Sequence, residues 1–337
     1  MIKEAIEKFV RFIDLNEKEM IEVMKEITEG IATPSQISSF ITALRMKGET
    51  IPEITGAAKV MREKGLNIRL IDDNLIDTCG TGGDGANTFN ISTVSAFVIA
   101  GAGLPVAKHG NRALSSRCGS ADLLKALGVK IDMDKDLIEK CIDEIGIGFL
   151  YAPIMHKSMK YATPVRREIG IRTVFNILGP LTNPANVKFQ LVGIYDADLT
   201  EKIAHVLNNL GCKKAFVVHG EDGLDEITIS GKTFVSEVKD GEVRSFAISP
   251  EDFGLKRYPI ESILGGSPEY NREIAIKILK GKALGPFEDV VLLNSSAALF
   301  IGGVADDLLE GVEIARDSIK TGKAYQKLMD LIDLSNS

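Results

Sequence analysis

The chain of 337 residues predicts an α/β protein: a large domain with a mainly parallel sheet flanked by helices, preceded by a small all-helical domain. Three observations predict it. The first 65 residues carry helix punctuation and helical apolar spacing with no strand-like run. From Asn74 onward, short apolar runs take turns with helical patterns, as in strands joined by crossover helices. A glycine-rich loop, Gly80-Thr81-Gly82-Gly83-Asp84-Gly85, directly follows the first of those runs, where open parallel sheets place ligand loops. The division is expected at residue 70, with 1–70 helical and 71–337 α/β.

In the helical part, Asn16-x-x-Glu19, Thr33-Pro34-x-Gln36 and Thr50-x-Pro52-Glu53 read as three capping-box starts. Gly30, Gly48 and Gly65 stand where C-terminal caps are expected. Ile21, Met24 and Ile27, then Ile41, Leu44 and Met46, mark apolar stripes at helical spacing. Beyond Asn74, strands are expected at 75–79, 104–107, 148–151, 191–195 and 215–218. Helices are expected at 91–102, 120–127, 135–144 and 200–210, alternating with them. Residues 231–248 read as antiparallel hairpins with turns at Gly231-Lys232 and Asp240-Gly241, and the chain from Asn271 onward is mostly helix.

Hydrophobic residues make up 45% of the chain and charged residues 26%, so a full core can be buried. A net charge of −7 argues against general nucleic-acid or membrane-surface binding, so any anion site has to be local. Cys79, Cys118, Cys141 and Cys212 lack CxxC spacing, which disfavours a zinc site or disulfide framework and suits a reducing cytoplasm. The opening residues read as a charged amphipathic helix rather than a signal peptide, and the apolar run at 94–104 is too short and glycine-broken to span a bilayer.

The segment 85–121 contains no Asp or Glu in 37 residues, although 47 acids in 337 would place about five there by proportion. The same stretch carries Lys108, His109, Arg112 and Arg117. A net-acidic chain has thus cleared one segment of negative charge, which suits a phosphorylated ligand. Gly80-x-Gly82-x-x-Gly85 matches the dinucleotide pattern, but the acid wanted about 20 residues later for a ribose falls in the acid-free stretch. A P-loop is excluded because no Gly-Lys-Ser/Thr closes the loop. What remains is a run of backbone N–H groups leading to a helix start at Asn90-Ile91-Ser92-Thr93, where the dipole favours an anion.

Lys108-His109-Gly110-Asn111-Arg112 is expected to be the loop after the second strand, meeting the glycine loop at one sheet edge, with Ser115, Ser116 and Ser120 adding hydroxyl donors. Asp225-Glu226, in a loop after the strand that ends near His219, suits Mg²⁺, a hard cation that bridges to phosphates.

Four motifs in this order resemble the anthranilate phosphoribosyltransferase family, over nearly the whole chain. They are the run from Gly80 to Thr93, Lys108-His109-Gly110-Asn111-Arg112, the segment from Pro164-Val165-Arg166 through Asn176-Ile177-Leu178-Gly179-Pro180-Leu181-Thr182-Asn183-Pro184, and Asp225-Glu226. The resemblance implies transfer of the phosphoribosyl group of 5-phosphoribosyl-1-diphosphate (PRPP) to the amine of anthranilate, in tryptophan biosynthesis. It implies PRPP binding by Gly80, Gly83, Asp84, Thr88, Asn90, Ile91, Ser92, Thr93, Lys108, His109, Gly110, Asn111, Arg112, Ser115, Ser116 and Ser120. It implies anthranilate binding by Gly80, Asn111 and Arg166, and magnesium held by Ser92, Asp225 and Glu226. A homodimer through the helical domain, a return to that domain by 163–184, and a cytoplasmic location also follow from it. No residue is assigned as general base, and no nucleic-acid or membrane partner is expected. Cys79 and Cys118 are small departures from the family pattern.

Two other readings share the fold. A pyrimidine nucleoside phosphorylase would not need Lys108-His109-Gly110-Asn111 or the paired acids. A nucleic-acid-binding relative would need a basic groove, which the net charge of −7 opposes.

Overall fold

The computed structural model describes residues 1–72, 74–113, 117–282 and 285–337. It opens with four helices, α1 (Ile2–Val10), α2 (Glu17–Thr28), α3 (Pro34–Lys47) and α4 (Ile51–Lys64). The α/β part begins with β1 (Ile76–Thr78), α5 (Ile91–Gly101), β2 (Val106–Gly110), α6 (Ser120–Leu127), α7 (Lys135–Ile145) and β3 (Ile147–Tyr151). Three short helices follow, α8 (Ala152–Met155), α9 (Thr163–Ile169) and α10 (Val174–Leu178). The sheet resumes with β4 (Phe189–Gly193), α11 (Thr200–Asn209), β5 (Lys214–Gly220), β6 (Thr233–Lys239) and β7 (Glu242–Ile248). The chain ends in α12 (Pro268–Leu279), α13 (Pro286–Ile301), α14 (Leu308–Lys320) and α15 (Lys323–Ser335).

The helix starts follow from their sequence. Asn16 and Glu19 exchange both capping bonds at 3.0 Å, and Thr33 and Gln36 do the same at 2.9 and 3.3 Å. The third box is only half made. Glu53 accepts the Thr50 N–H at 2.8 Å, but the Thr50 hydroxyl has no partner among the described residues. Glu53 is drawn inward instead: fully buried, it also accepts the Leu15 N–H at 2.9 Å and pairs with Lys47 at 3.0 Å. Gly30 and Gly48 take positive φ as expected, whereas Gly65 leaves α4 in extended backbone.

Sheet order is β3-β2-β1-β4-β5-β6-β7. The first five strands in that order are parallel, and β6 and β7 run antiparallel at one edge. Asp240-Gly241, both at positive φ, make the β6–β7 turn, while β5 and β6 are joined by the longer 221–232 loop rather than a tight turn at Gly231-Lys232. The order reverses between β1 and β4, so the crevice beyond the carboxyl ends of these two strands is the topological switch point.

Two strands are offset from their expected positions. β2 runs Val106–Gly110 rather than 104–107, because Lys108, His109 and Gly110 pair with Phe149, Leu150 and Tyr151 of β3. β4 runs Phe189–Gly193 rather than 191–195, held by its register on β5. Polarity misleads here: Lys108 and His109 are both buried, on opposite faces of the sheet.

One sheet face packs Ile76, Val106, Leu191 and Phe216 against α5 and α13–α15. The other contributes Val192, Ala215 and Val217 to a second core shared with α1–α4 and α11. Val165, Val174, Phe175 and Leu178 of α9 and α10 pack into this second core. Met46, expected in an apolar stripe, is instead 74% exposed.

Removing Glu53 takes one of two carboxylate partners from the Lys47 ammonium, leaving it the exposed Asp14 at 2.6 Å, and strips the Leu15 and Thr50 N–H groups of their acceptor. Glu53→Ala is expected to destabilise the protein by about 3 kcal/mol in urea unfolding, whereas Lys59→Ala at an exposed pair should change it by less than about 0.5 kcal/mol.

Candidate active site

The glycine loop is built around a carboxylate. Thr81 N–H donates to the Gly193 carbonyl at 2.9 Å, which pins the loop to the end of β4. Gly82, Gly83 and Gly85 take φ of 66, 79 and 77°, a conformation costly for residues with a Cβ. This turn aims the Gly82 N–H at Asp225 Oδ2, 2.6 Å away. A Cβ at Gly80 would lie 2.8 Å from the same oxygen, and one at Gly193 would collide with the Asp225 carbonyl. These two glycines let the acidic loop after β5 lie directly on the ends of β1 and β4. Farther along, Gly265 N–H and Phe89 N–H tie 87–89 to the 263–265 segment, and Thr88 bridges Leu264.

Glu226 Oε1 accepts the Ser92 N–H at 3.3 Å, in the first turn of α5. Asn90, at the start of this helix, makes no side-chain cap. Asn90 instead accepts from Asn271 through Oδ1 and donates to the Cys118 carbonyl through Nδ2. Ile91 is a core residue, its N–H taken by the Phe89 carbonyl. Thr93 is buried and lines a small void with Lys108 and Phe97. From the α5 face of the sheet, the Lys108 ammonium reaches the Thr78 carbonyl at 2.6 Å and Ser92 Oγ at 3.3 Å.

Negative charge is crowded at this point. Burial, then Asp84 and Glu226, push the Asp225 carboxyl well above its usual range. Burial raises Glu226 to about 7, against the pull of Lys108 and the Ser92 hydroxyl, with Asp84 adding to the rise. Hard oxygen donors from Ser92, Asp225 and Glu226, short of positive charge, are the donor chemistry that suits Mg²⁺. The residues present therefore fit that ion.

The basic run divides by strand alternation. Lys108 faces the acid pair, while His109 faces the other way, its Nδ1 3.1 Å from the Gly179 carbonyl and its ring 5.2 Å from that of His156. The ring of His109, one of the residues expected at PRPP, thus lies on the face away from the Lys108 ammonium. Burial first, then the neighbouring His156, depress His109 to about 3, and burial depresses His156 to about 4. Asp77, beside them, accepts from the His109 N–H at 3.1 Å and from Asn183 Nδ2 at 2.7 Å, and burial raises it to about 6. Asp77, Cys79 and His109 place ligand atoms within 4.8 Å of one another, but both Asp77 oxygens already have donors, so the cluster reads as structural.

Gly110 lets Ser120 approach β2, where the Ser120 hydroxyl donates to the Asn111 carbonyl. Arg112 is exposed, its Nε donating to the Tyr151 hydroxyl at 3.1 Å and its guanidinium 3.7 Å from Asp122. Ser115 and Ser116 lie outside the described residues. Arg166, on α9, is half-buried with its guanidinium 5.4 Å from the Phe175 ring. It makes no ion pair among the described residues, and burial lowers its pKa. Arg172, which has no role in the motif reading, stacks on Tyr195 at 4.2 Å and donates to the Gly83 carbonyl, joining the α9–α10 segment to the glycine loop.

The histidines give a pH test. The folded state refuses a proton that the unfolded chain accepts below about 6.5, so His156 removes stability as pH falls from 6.5 toward 4. Relative to the parent, His156→Phe should therefore gain about 2 kcal/mol between pH 6.5 and pH 5, read from urea unfolding at the two values.

Residues 3–65 match the helical bundle domain of the glycosyl transferase family, and residues 72–325 match its a/b domain. The anthranilate phosphoribosyltransferase of Acetivibrio thermocellus is 54% identical, covering 100% of this chain and 97% of its own length. That of Clostridium kluyveri is 52% identical over the full length of both. Among solved structures, the Thermus thermophilus enzyme superposes with a TM-score of 0.94 at 41% identity, covering 99% of each chain. The Saccharomyces cerevisiae enzyme, solved with PRPP and Mg, superposes with a TM-score of 0.91 at 29% identity, covering 99% of this chain and 98% of its own. The chain is an enzyme of the anthranilate phosphoribosyltransferase family.

Proposed function

We propose that the crevice at the ends of β1, β4 and β5 transfers the phosphoribosyl group of PRPP to the amine of anthranilate, releasing diphosphate and feeding tryptophan biosynthesis. The observation that carries this reading is one hydrogen-bonded cluster in which the glycine loop, Ser92, Lys108, Asp225 and Glu226 meet at the switch point. The relatives solved with PRPP and Mg, and with 4-fluoroanthranilate, support the two substrates and the ion.

In this reading the backbone N–H groups of 80–85, with Thr88, Asn90 and Ser120, hold the phosphates of PRPP, and Lys108 swings its ammonium onto them. Ser92, Asp225 and Glu226 hold magnesium, which when bound neutralises charge on the diphosphate as the anomeric C–O bond breaks. Arg166 takes the anthranilate carboxylate through its planar fork, with Asn111 beside it. The amine is a weak nucleophile, so catalysis rests on leaving-group departure and on alignment at the face opposite diphosphate, with inversion. Its proton leaves after the C–N bond forms, when the nitrogen is strongly acidic, and this needs no strong base. His109 turns to the face of β2 opposite Lys108 and the acid pair, with its ring against His156, so neither histidine is given that role.

The proposed division at residue 70 puts the helical unit, with its return at 163–184, on one side of the crevice and the sheet on the other. Closure of the two would exclude water from an oxocarbenium-like centre. Val10, Phe12, Ile13 and Met46 are exposed on the helical unit, and a second copy of the chain is the proposed cover for them. The four thiols are free, which suits the cytoplasm.

Loss of anthranilate fluorescence should require both PRPP and Mg²⁺, and no loss with both present rejects the reading. Arg166→Ala should raise the anthranilate KM by at least about tenfold while changing the PRPP KM less than about twofold, and equal effects on both would remove Arg166 from the acceptor site.

A further inference from the structure

We infer that Asn294 is the positioning residue for the acidic pair. The inference rests on the reading of Asp225 and Glu226 as metal ligands. Asn294 lies mid-helix in α13, is 1% exposed, and touches neither the glycine loop nor Lys108 through any hydrogen bond among the described residues. Its side-chain amide clamps the backbone N–H and carbonyl of one residue, Ile227. Oδ1 accepts the Ile227 N–H at 3.0 Å, and Nδ2 donates to the Ile227 carbonyl at 3.0 Å. The second Nδ2 hydrogen goes to the Val290 carbonyl at 2.9 Å, which fixes the amide orientation.

Ile227 directly follows Glu226, and its own side chain is buried. The amide thus does for the 225–227 segment what a neighbouring strand does elsewhere: it satisfies a buried N–H and a buried carbonyl, and sets the direction in which the preceding carboxylate leaves the backbone. Asp222 ties the two ends of the loop together, accepting the Leu224 N–H at 3.2 Å upstream and the Thr228 hydroxyl at 2.6 Å downstream. Without the clamp, the Ile227 N–H and carbonyl lose their side-chain partners, and the backbone next to Glu226 can relax. Asn294 acts against that relaxation. A lone asparagine within the apolar run Val290-Val291-Leu292-Leu293-Asn294 is the sequence trace of the role.

The test uses Mn²⁺ as the probe, with the loss of its free-ion paramagnetic resonance signal read in the presence of PRPP and without anthranilate. Asn294→Leu keeps the branching at Cγ and removes all three bonds, and Asn294→Ser is the second variant should the first not fold. Either should weaken Mn²⁺ binding by at least about tenfold, the usual effect of losing a residue that orients metal ligands, while changing the anthranilate KM at saturating metal less than about twofold. Leu299→Ala, elsewhere in α13 and fully buried, supplies a matched loss of urea stability and should bind Mn²⁺ as the parent does. An Asn294 variant that folds and binds Mn²⁺ like the parent overturns the inference, as does an equal loss in Leu299→Ala. Asp225→Asn with Glu226→Gln separates the two levels: Mn²⁺ binding that survives this double change overturns the metal reading itself.

Discussion

The site depends on a carboxyl group that the protein buries beside two others. Asp225 sits at the ends of β1 and β4 with Asp84 and Glu226 beside it, and the direct hydrogen bond that it accepts there comes from the Gly82 N–H. Burying like charges together is unfavourable in a low-dielectric setting, so the surrounding structure has to hold them. It does so by removing side chains. Gly80 and Gly193 have no Cβ, which gives the acidic loop room to rest on the strand ends, and positive φ at Gly82 and Gly83 turns N–H groups toward it. The glycine loop is therefore shaped by the carboxylate on which it rests as well as by the phosphates that it is proposed to hold.

Sheet alternation sorts the remaining charges. On β2, Lys108 emerges toward Ser92 and the acid pair, while its neighbour His109 emerges on the opposite face and joins Asp77, Asn183 and His156 in a dry polar cluster. One strand thus supplies a cation to one face and a neutral imidazole to the other. The Asp77 cluster binds β1, β2 and the 179–185 segment, and that segment continues into α9 and α10, where Arg166 and Arg172 stand. The crevice is in this way tied to the helical unit through backbone and buried polar contacts, which fixes where the unpartnered Arg166 guanidinium can be offered.

Much of the architecture is legible in the chain because it depends on local chemistry. Asn16 with Glu19 and Thr33 with Gln36 announce helix starts through bonds that span three residues. The alternation of strands and helices, the Asp240-Gly241 turn and the helical C-terminal part are read from patterns of similar range. What was misread involves distance. Lys108 and His109 look like loop residues until a strand 40 residues away pairs with them. Thr50 and Glu53 look like a closed capping box until Lys47 and Leu15 draw the carboxylate inward. Asn294 sits in a helix with no motif and shows its contact with Ile227 only once α13 packs under the sheet.

By itself the sequence determined the chemical inventory: an acid-free stretch rich in glycine and hydroxyls, a lysine, a pair of acids and an arginine, in an order that resembles one family. It also determined many of the helix starts and the β6–β7 turn, since capping, helical spacing and turn chemistry act over a few residues. Only the tertiary structure decided which groups share a space. Gly82 and Asp225 are 143 residues apart in the chain and 2.6 Å apart in the fold. That proximity comes from strand order and from the absence of Cβ atoms at Gly80 and Gly193, both of which are properties of packed backbones. The direction of each side chain along β2, the burial that depresses the histidines and raises the carboxyls, and the freedom of Arg166 likewise depend on neighbours that only packing supplies.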